Sequence, residues 1–322
     1  LCLVTADAAL RNDLWIKIIA ICDEYPTKHD TDGDFLDDYT KTDYPEHTNP
    51  AASGYNHELL YANCFWYMAM QIAAEAAGLM GDSSRAAVYT DYAEKIKAAI
   101  NAKFSRNSGY ASWLTSAHTQ SAHESHNIVL PLLYKIADQP KFEATLATIE
   151  NKLLTPYGLH RADVPVPSVP GCEMAYQWRW VYNRWNFVNA LFANALPDKA
   201  LTYLNQWLAE EKKIYYQGPE FYDGNDVMSN YGFSWMTGRA MRSIIFGLYG
   251  LDIKHNGLVV KPQLPSTWRK MALTNLWIRN TNFTVSVIAS KTSGLEVDGN
   301  PVSNGFVPET FFDGTPHSIL CK

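Results

Sequence analysis

Several things are scarce in this 322-residue chain, and each scarcity removes a class of function. Charged residues are only 19% of the total, below the usual quarter. The net charge is −6 and there is no run of Lys or Arg, so the clustered basic surface that phosphate neutralisation needs is missing and nucleic acid is set aside as a partner. No apolar run reaches the length of a membrane span, and the opening Leu1-Cys2-Leu3-Val4-Thr5 is too short for a signal-peptide core. The five cysteines, Cys2, Cys22, Cys64, Cys172 and Cys321, show no CxxC spacing. That argues against a zinc site or a dense disulfide framework, while one disulfide stays open and one thiol must be left over within the chain. A start without Met suggests a processed or truncated N-terminus. Asn282-Phe283-Thr284 is the single glycosylation sequon, thin support for a secreted or periplasmic location.

Aromatic residues, by contrast, are plentiful. Ten Trp and nineteen Tyr suit the stacking of flat, polar-edged ligands, which points to an oligosaccharide or glycoside, and 47% hydrophobic residues allow a sizeable core. The most informative stretch is Gly218-Pro219-Glu220-Phe221-Tyr222-Asp223-Gly224, running into Tyr231 to Gly238. An acid between aromatics and Gly/Pro punctuation, followed by an apolar helix, mounts a carboxylate on a loop beside a cleft, and makes Glu220 the candidate base. The plain alternative is a Glu that caps the next helix. Upstream lie Tyr176, Trp178, Trp180, Tyr182 and Trp185, and a second acidic group, Asp34, Asp37 and Asp38, follows the first helix.

Apolar spacing predicts helices over about 6–22, 57–79, 83–104, 120–137, 140–153, 180–195, 197–210 and 235–250. They pair as hairpins with turns at Gly78/Gly81, Pro140 and Pro197, which reads as an α/α toroid. Tight turns alternate with long loops at 105–119, 154–178 and 211–233, and function belongs at the long-loop end. From Gly257 period-two alternation takes over, with a turn at Val297-Asp298-Gly299-Asn300-Pro301. The expected organisation is a mainly α toroid over 1–256 and a small β-sandwich over 257–322. Eight helices are fewer than a six-hairpin toroid requires, so an N-terminal portion or a partner chain is expected to complete it.

The chain resembles the six-hairpin glycosidases, the (α/α)6-barrel enzymes that include trehalase, the processing α-glucosidases and the cellobiose phosphorylase group. Glu220-Phe221-Tyr222 and Tyr231-Gly232-Phe233-Ser234-Trp235-Met236-Thr237-Gly238 resemble trehalase's E-K-Y and L-G-F-G-W-T-N-G, and the latter also the phosphorylases' S-W-L-T-G-T. Gln177-Trp178 through Asn183-Arg184-Trp185-Asn186 resembles trehalase's Q-W-D-Y-P-N-G-W. Leu153 to Leu159 and Gly257 to Trp268 resemble phosphorylase segments in the same order. The resemblance implies an (α/α)6 barrel and inverting cleavage of a glycosidic bond. Laying E-S-G-x-D or D-W-N-D on Asp34-Phe35-Leu36-Asp37-Asp38 implies Asp37 as general acid. The E-S-G lead is missing, so Asp34 and Asp38 remain alternatives.

In such a mechanism Asp37 protonates the leaving oxygen and Glu220 activates water. Trp178, Trp180, Arg184, Trp185, Tyr222 and Trp235 are the candidate sugar contacts, with core packing the other reading of each Trp and a salt bridge that of Arg184. Asp30 to Asp38 also resembles an oxygen-rich calcium loop, but Phe35 stands where such loops keep Gly, and no cofactor is assigned. His123, Glu124 and His126 read as a polar helix face, not metal ligands. The phosphorylases' His on the helix beginning Tyr182-Asn183-Arg184-Trp185 is replaced by Tyr182, which favours hydrolase over phosphorylase, although Arg239 keeps part of a phosphate site. A catalytically inactive carbohydrate-binding protein is the reading from another class.

Overall fold

The computed structural model describes residues 7–37, 57–115, 123–163, 179–213, 221–223, 226–227, 234–290 and 293–322. Helix α1, Ala8–Cys22, starts at Asp7, whose carboxylate accepts the Leu10 N–H at 3.0 Å, and leads into a wider turn, Tyr25–His29. The strand β1, His57–Leu59, opens α2, Leu60–Leu79. On α2 the residues Leu60, Cys64, Tyr67, Met70, Ala73 and Ala77 are buried at steps of three and four. That stripe packs on α3, Ser83–Lys103, through Tyr89, Ala93, Ile96 and Ile100. The expected hairpin is present, and Asp82 caps α3.

The helix expected over 120–137 is instead two short pieces, α4 (Ser125–Ile128) and α5 (Leu130–Leu133). Pro131 in the first turn of α5 has no N–H to continue the ladder. Pro140 lies in the first turn of α6, Gln139–Thr148, not in the connection, and Asp138 caps that helix. Helix α7, Val181–Ala193, and α8, Pro197–Lys213, form the next hairpin, and α9, Ser234–Arg242, continues into a wider turn, Ser243–Leu248. The short connections (80–82, 134–138, 194–196) each close a hairpin, and the long ones lead to the starts of α2, α4, α7 and α9. The arrangement fits part of an (α/α)6 barrel with a C-terminal sheet region.

At the long-loop end, short antiparallel ladders join successive helix starts. After the small hairpin of β2 (Ser105–Arg106) and β3 (Gly109–Tyr110), β4 (Trp113–Thr115) pairs with β1 and precedes α4. Glu124 bridges Ala162, and beyond the hairpin of β5 (Leu154–Thr155) and β6 (Gly158–Leu159) His160 bridges Arg179. β7, Arg179–Trp180, then pairs with β8, Phe221–Asp223, and β8 with β9, Asp226–Val227.

The sheet region contains a three-stranded sheet, β10-β11-β16 (Leu251–Lys254, Gly257–Val260, Phe306–Pro308), and a five-stranded one, β12-β13-β17-β14-β15 (Lys270–Ile278, Thr281–Ile288, His317–Cys321, Leu295–Val297, Asn300–Val302). Its first strand, β10, precedes Gly257 and pairs with β11. In the second sheet β13 (Thr281–Ile288) alternates buried Thr281, Phe283, Val285 and Val287 with half-exposed positions. The expected turn closes β14 (Leu295–Val297) on β15 (Asn300–Val302), with Asp298 and Gly299 both at positive φ, 50° and 79°, as a tight hairpin turn requires. Gly250, at φ 58°, marks the junction between helices and sheets: a Cβ there would lie 1.8 Å from the Lys261 carbonyl oxygen. Just beyond, the Gln263 amide donates to the Phe192 carbonyl at 2.7 Å and ties the sheet region to α7.

Candidate active site

The ladder-lined end of the barrel holds the buried polar groups that packing alone does not demand. Asp37 is 7% exposed. Its N–H donates to Asn63 Oδ1 at 2.8 Å in the first turn of α2, and its Oδ1 is 3.0 Å from His29 Nδ1. Asn63 in turn donates to the Leu59 carbonyl.

Similar asparagines recur at the other helix starts. Asn127 in α4 accepts the Tyr61 N–H of α2 at 3.0 Å and donates to Glu124 Oε2 at 2.8 Å. Asn183 in α7 donates to Ser125 of α4 at 2.8 Å, and Asn186 accepts from Arg239 of α9 at 2.6 Å. Each amide couples one helix to a neighbour, so the rim is a connected polar belt.

Two carboxylates flank the start of α4. Glu124 is fully buried, and burial raises its carboxyl to about 8 against the opposing pull of Arg161 and the Asn127 amide. Asp163 has the opposite fate. Burial works to raise it, but hydrogen bonds from the His123 ring (2.7 Å) and backbone (3.0 Å), with Lys152 at 3.2 Å, bring it down to about 2. His123 Nε2 also meets Ser108 Oγ at 2.9 Å. His123 and His126 thus serve two different networks, and the polar helix face read from the sequence is buried: both are 7% exposed.

An aromatic array borders the belt. Ring centroids run from Tyr61 to His126 (5.6 Å), His126 to Trp180 (6.0 Å) and Trp180 to Tyr182 (5.7 Å), and the Arg239 guanidinium lies 4.1 Å above Tyr182. Trp180 is half-buried, which leaves part of the indole at the surface. Trp185 and Arg184 are different. Both are fully buried: Trp185 packs edge-on against Trp207 at 6.2 Å, and Arg184 pairs with Glu211. The structure corrects the expectation of sugar contacts at these two positions, because neither has a face left for a ligand. The alternatives of core packing and a salt bridge are what is found.

Glu220, Trp178 and Asp38 lie outside the described residues, and Tyr222 and Trp235 are described by their backbone alone. Glu220 directly precedes β8 in the sequence, and Phe221 of β8 pairs with Trp180. Asp34 is engaged by Lys103. The carboxylates of Asp30, Asp32 and Asp34 come within 4.8 Å of one another, but each already accepts a backbone N–H, from Phe35, Asp34 and Leu36 respectively. Phe35 takes the left-handed φ of 66° that a Gly would adopt at ease, and its ring lies under Lys95. These contacts tie the acidic cluster to its own loop backbone. Among the described residues Cys22, Cys64 and Cys321 are free and buried, and no described helix is long and apolar enough to cross a membrane.

Sequence reasoning missed His29, Asn63, Tyr61 and the rim role of Asn127. A signal did exist for Asn63: it is a polar residue on the apolar stripe of α2, beside Leu60, Cys64 and Tyr67.

Residues 3–158, just under half of the chain, match the family model described as the bacterial alpha-L-rhamnosidase six-hairpin glycosidase domain. A curated relative, the N,N'-diacetylchitobiose phosphorylase of Vibrio proteolyticus, is 24% identical in an alignment 286 residues long that covers 76% of this chain and 35% of that protein. The chain therefore spans about a third of that relative's length. Among solved structures, one titled a sialidase aligns over 99% of this chain and 30% of its own at a TM-score of 0.67 and 16% identity. The GH63 mannosylglycerate hydrolase of Thermus thermophilus aligns over 72% of this chain and 70% of its own (TM-score 0.55, 14% identity). The GH78 rhamnosidase of Bacillus sp. GL1 aligns over 89% of this chain and 30% of its own (TM-score 0.59, 12% identity).

Proposed function

We propose that the chain, whose residues 3–158 match a six-hairpin glycosidase family model and whose fold is that of the (α/α)6 glycosidases, carries the catalytic centre of an inverting glycoside hydrolase, with Asp37 as general acid and Glu220 as general base. The observation that carries this reading is the setting of Asp37. It is a mostly buried carboxyl at the long-loop end, held through its backbone by Asn63 and through Oδ1 by His29. A group so fixed is suited to deliver a proton along one direction. Glu220 enters because the strand that follows it pairs with the Trp180 strand at the same rim. Trp180 is the foremost sugar platform, with Trp178, Tyr222 and Trp235 on the adjoining segments. Inversion follows if the two carboxyl groups stand roughly 6.5–9.5 Å apart, with a water beside the base.

One observation favours phosphorolysis as the second reading. Arg239 stacks on Tyr182 and bonds Asn186, a cation at the rim, and the curated relative is named a phosphorylase. The two readings part in one experiment: a glycoside panel assayed with and without inorganic phosphate. Free reducing sugar in both conditions supports hydrolysis, and sugar 1-phosphate formed only with phosphate supports phosphorolysis. Turnover of no member would leave the inactive binding protein.

Further hairpins are proposed to complete the barrel, on a preceding segment or a second chain. Ile16 and Ile21 on α1, Phe65 and Ile72 on α2, and Met241 with Phe246 at α9 are exposed apolar side chains of the kind that neighbouring hairpins cover.

A further inference from the structure

Resting on the reading of Asp37 as the acid, we infer that His29 is its positioning residue: Nδ1–H donates to Asp37 Oδ1 and thereby assigns the transferable proton to Oδ2. The two atoms are 3.0 Å apart, and the side chains are 23% and 8% exposed, so the contact is largely shielded from water.

The imidazole is held from several sides. Its ring lies 4.6 Å from Trp66 of α2 and stacks at 9° on Tyr25, whose hydroxyl donates to the Phe35 carbonyl at 3.1 Å. Tyr25 is itself fully buried and packs on Trp66 and Tyr92. The final turn of Tyr25–His29 and the loop that carries Asp37 are thus bolted to the start of α2 at two points, the His29 ring and Asn63.

The chemical consequence follows from proton accounting. With Nδ1–H directed at Oδ1, a proton on that oxygen would oppose the donor, so the neutral acid carries its proton on Oδ2. During reaction that proton moves from Oδ2 to the glycosidic oxygen while the C1–O bond breaks and its electron pair goes to the oxygen. Asp37 is left a carboxylate, and the His29 N–H then faces developing negative charge. The hydrogen bond strengthens in the transition state and so speeds the step that needs an acid.

Leaving-group dependence separates this role from a merely structural one, since a glycoside that departs without protonation has no use for the acid. The full-length protein would be assayed on a methyl glycoside and a 2,4-dinitrophenyl glycoside of the sugar returned by the panel, with phosphate present. His29→Phe keeps the ring packing and removes the donor, and His29→Asn replaces a donor near the Nδ1 position. For His29→Phe the expected result is a kcat loss of about 10²-fold on the methyl glycoside, with KM and the dinitrophenyl rate nearly unchanged. His29→Asn should recover at least about tenfold of that loss. Asp37→Asn, the control for the parent reading, should show the same selectivity with a larger loss. If His29→Phe slows both substrates alike, or neither, while Asp37→Asn is selective, the role of His29 is overturned and the acid stands. If Asp37→Asn is itself not selective, the acid assignment fails and the inference with it.

Discussion

The two ends of the helices start their turns in different ways. At the short-turn end Asp82 and Asp138 each cap a helix with their own carboxylate, bonding an N–H three residues on. Lys135 and Ala195 turn the chain in the left-handed region at φ 57° and 56°. At the long-loop end the residues before α2, α4 and α7 are Leu59, Glu124 and Trp180, and none of them makes a side-chain cap. These starts are secured by strand ladders and by amides reaching from one hairpin to another. Local capping makes a hairpin stable by itself, whereas cross-hairpin ties make several helix starts one rigid frame. Only the second arrangement holds groups from distant parts of the chain in fixed relation, which is what a two-carboxylate site needs.

Substitutions at the two ends should therefore differ in kind. The largest effect is expected at Asp37: Asp37→Asn should lower kcat on an unactivated glycoside by about 10³-fold or more, with the thermal midpoint little changed. A change of rate and midpoint together would make Asp37 part of the frame instead of the chemistry. Next comes Glu211→Gln, which takes the carboxylate partner from the buried Arg184 guanidinium and should cost about 3–5 kcal/mol in urea unfolding.

Glu124 and Asp163 give opposite pH signatures. The folded carboxyl of Glu124 titrates near 8, above its unfolded value, so its contribution to stability is fully present in acid and is lost as pH rises from about 4.5 towards 8. Asp163, depressed to about 2, contributes above its unfolded value near 3.8 and loses that contribution as pH falls towards 2. Glu124→Gln should therefore flatten the decline in stability between pH 5 and 8, gaining on the order of 1–3 kcal/mol over the parent at the alkaline end. An unchanged slope would mean that Glu124 is ionised in the fold. The smallest effect belongs to the other end, where Asp138→Ala should cost about 1 kcal/mol and leave kcat untouched.

The same contrast explains what could be read from the sequence. Hairpin packing acts over a regular stripe and a tight turn over a few residues, so the α2/α3 pair and the Asp298-Gly299 turn are legible. The break at Pro131 went unread because the apolar spacing ran through it. The rim network joins positions 26 residues apart at Asp37 and Asn63, 58 at Ser125 and Asn183, and 66 at Tyr61 and Asn127. No local pattern announces such ties. Trp185 and Arg184 looked like ligand contacts because their residue types suit sugars, and only the placement of Trp207 and Glu211 behind them gives the packing role.

The central claim is that two carboxyl groups on separate loops act from opposite faces of the sugar. Proton NMR of the first product released from an active glycoside tests it most directly. The anomeric proton should appear first in the configuration opposite to the substrate's, before mutarotation mixes the two. Initial product of the same configuration would contradict the pairing of Asp37 with Glu220 and turn attention to Asp34, Asp38, Asp223 and Asp226.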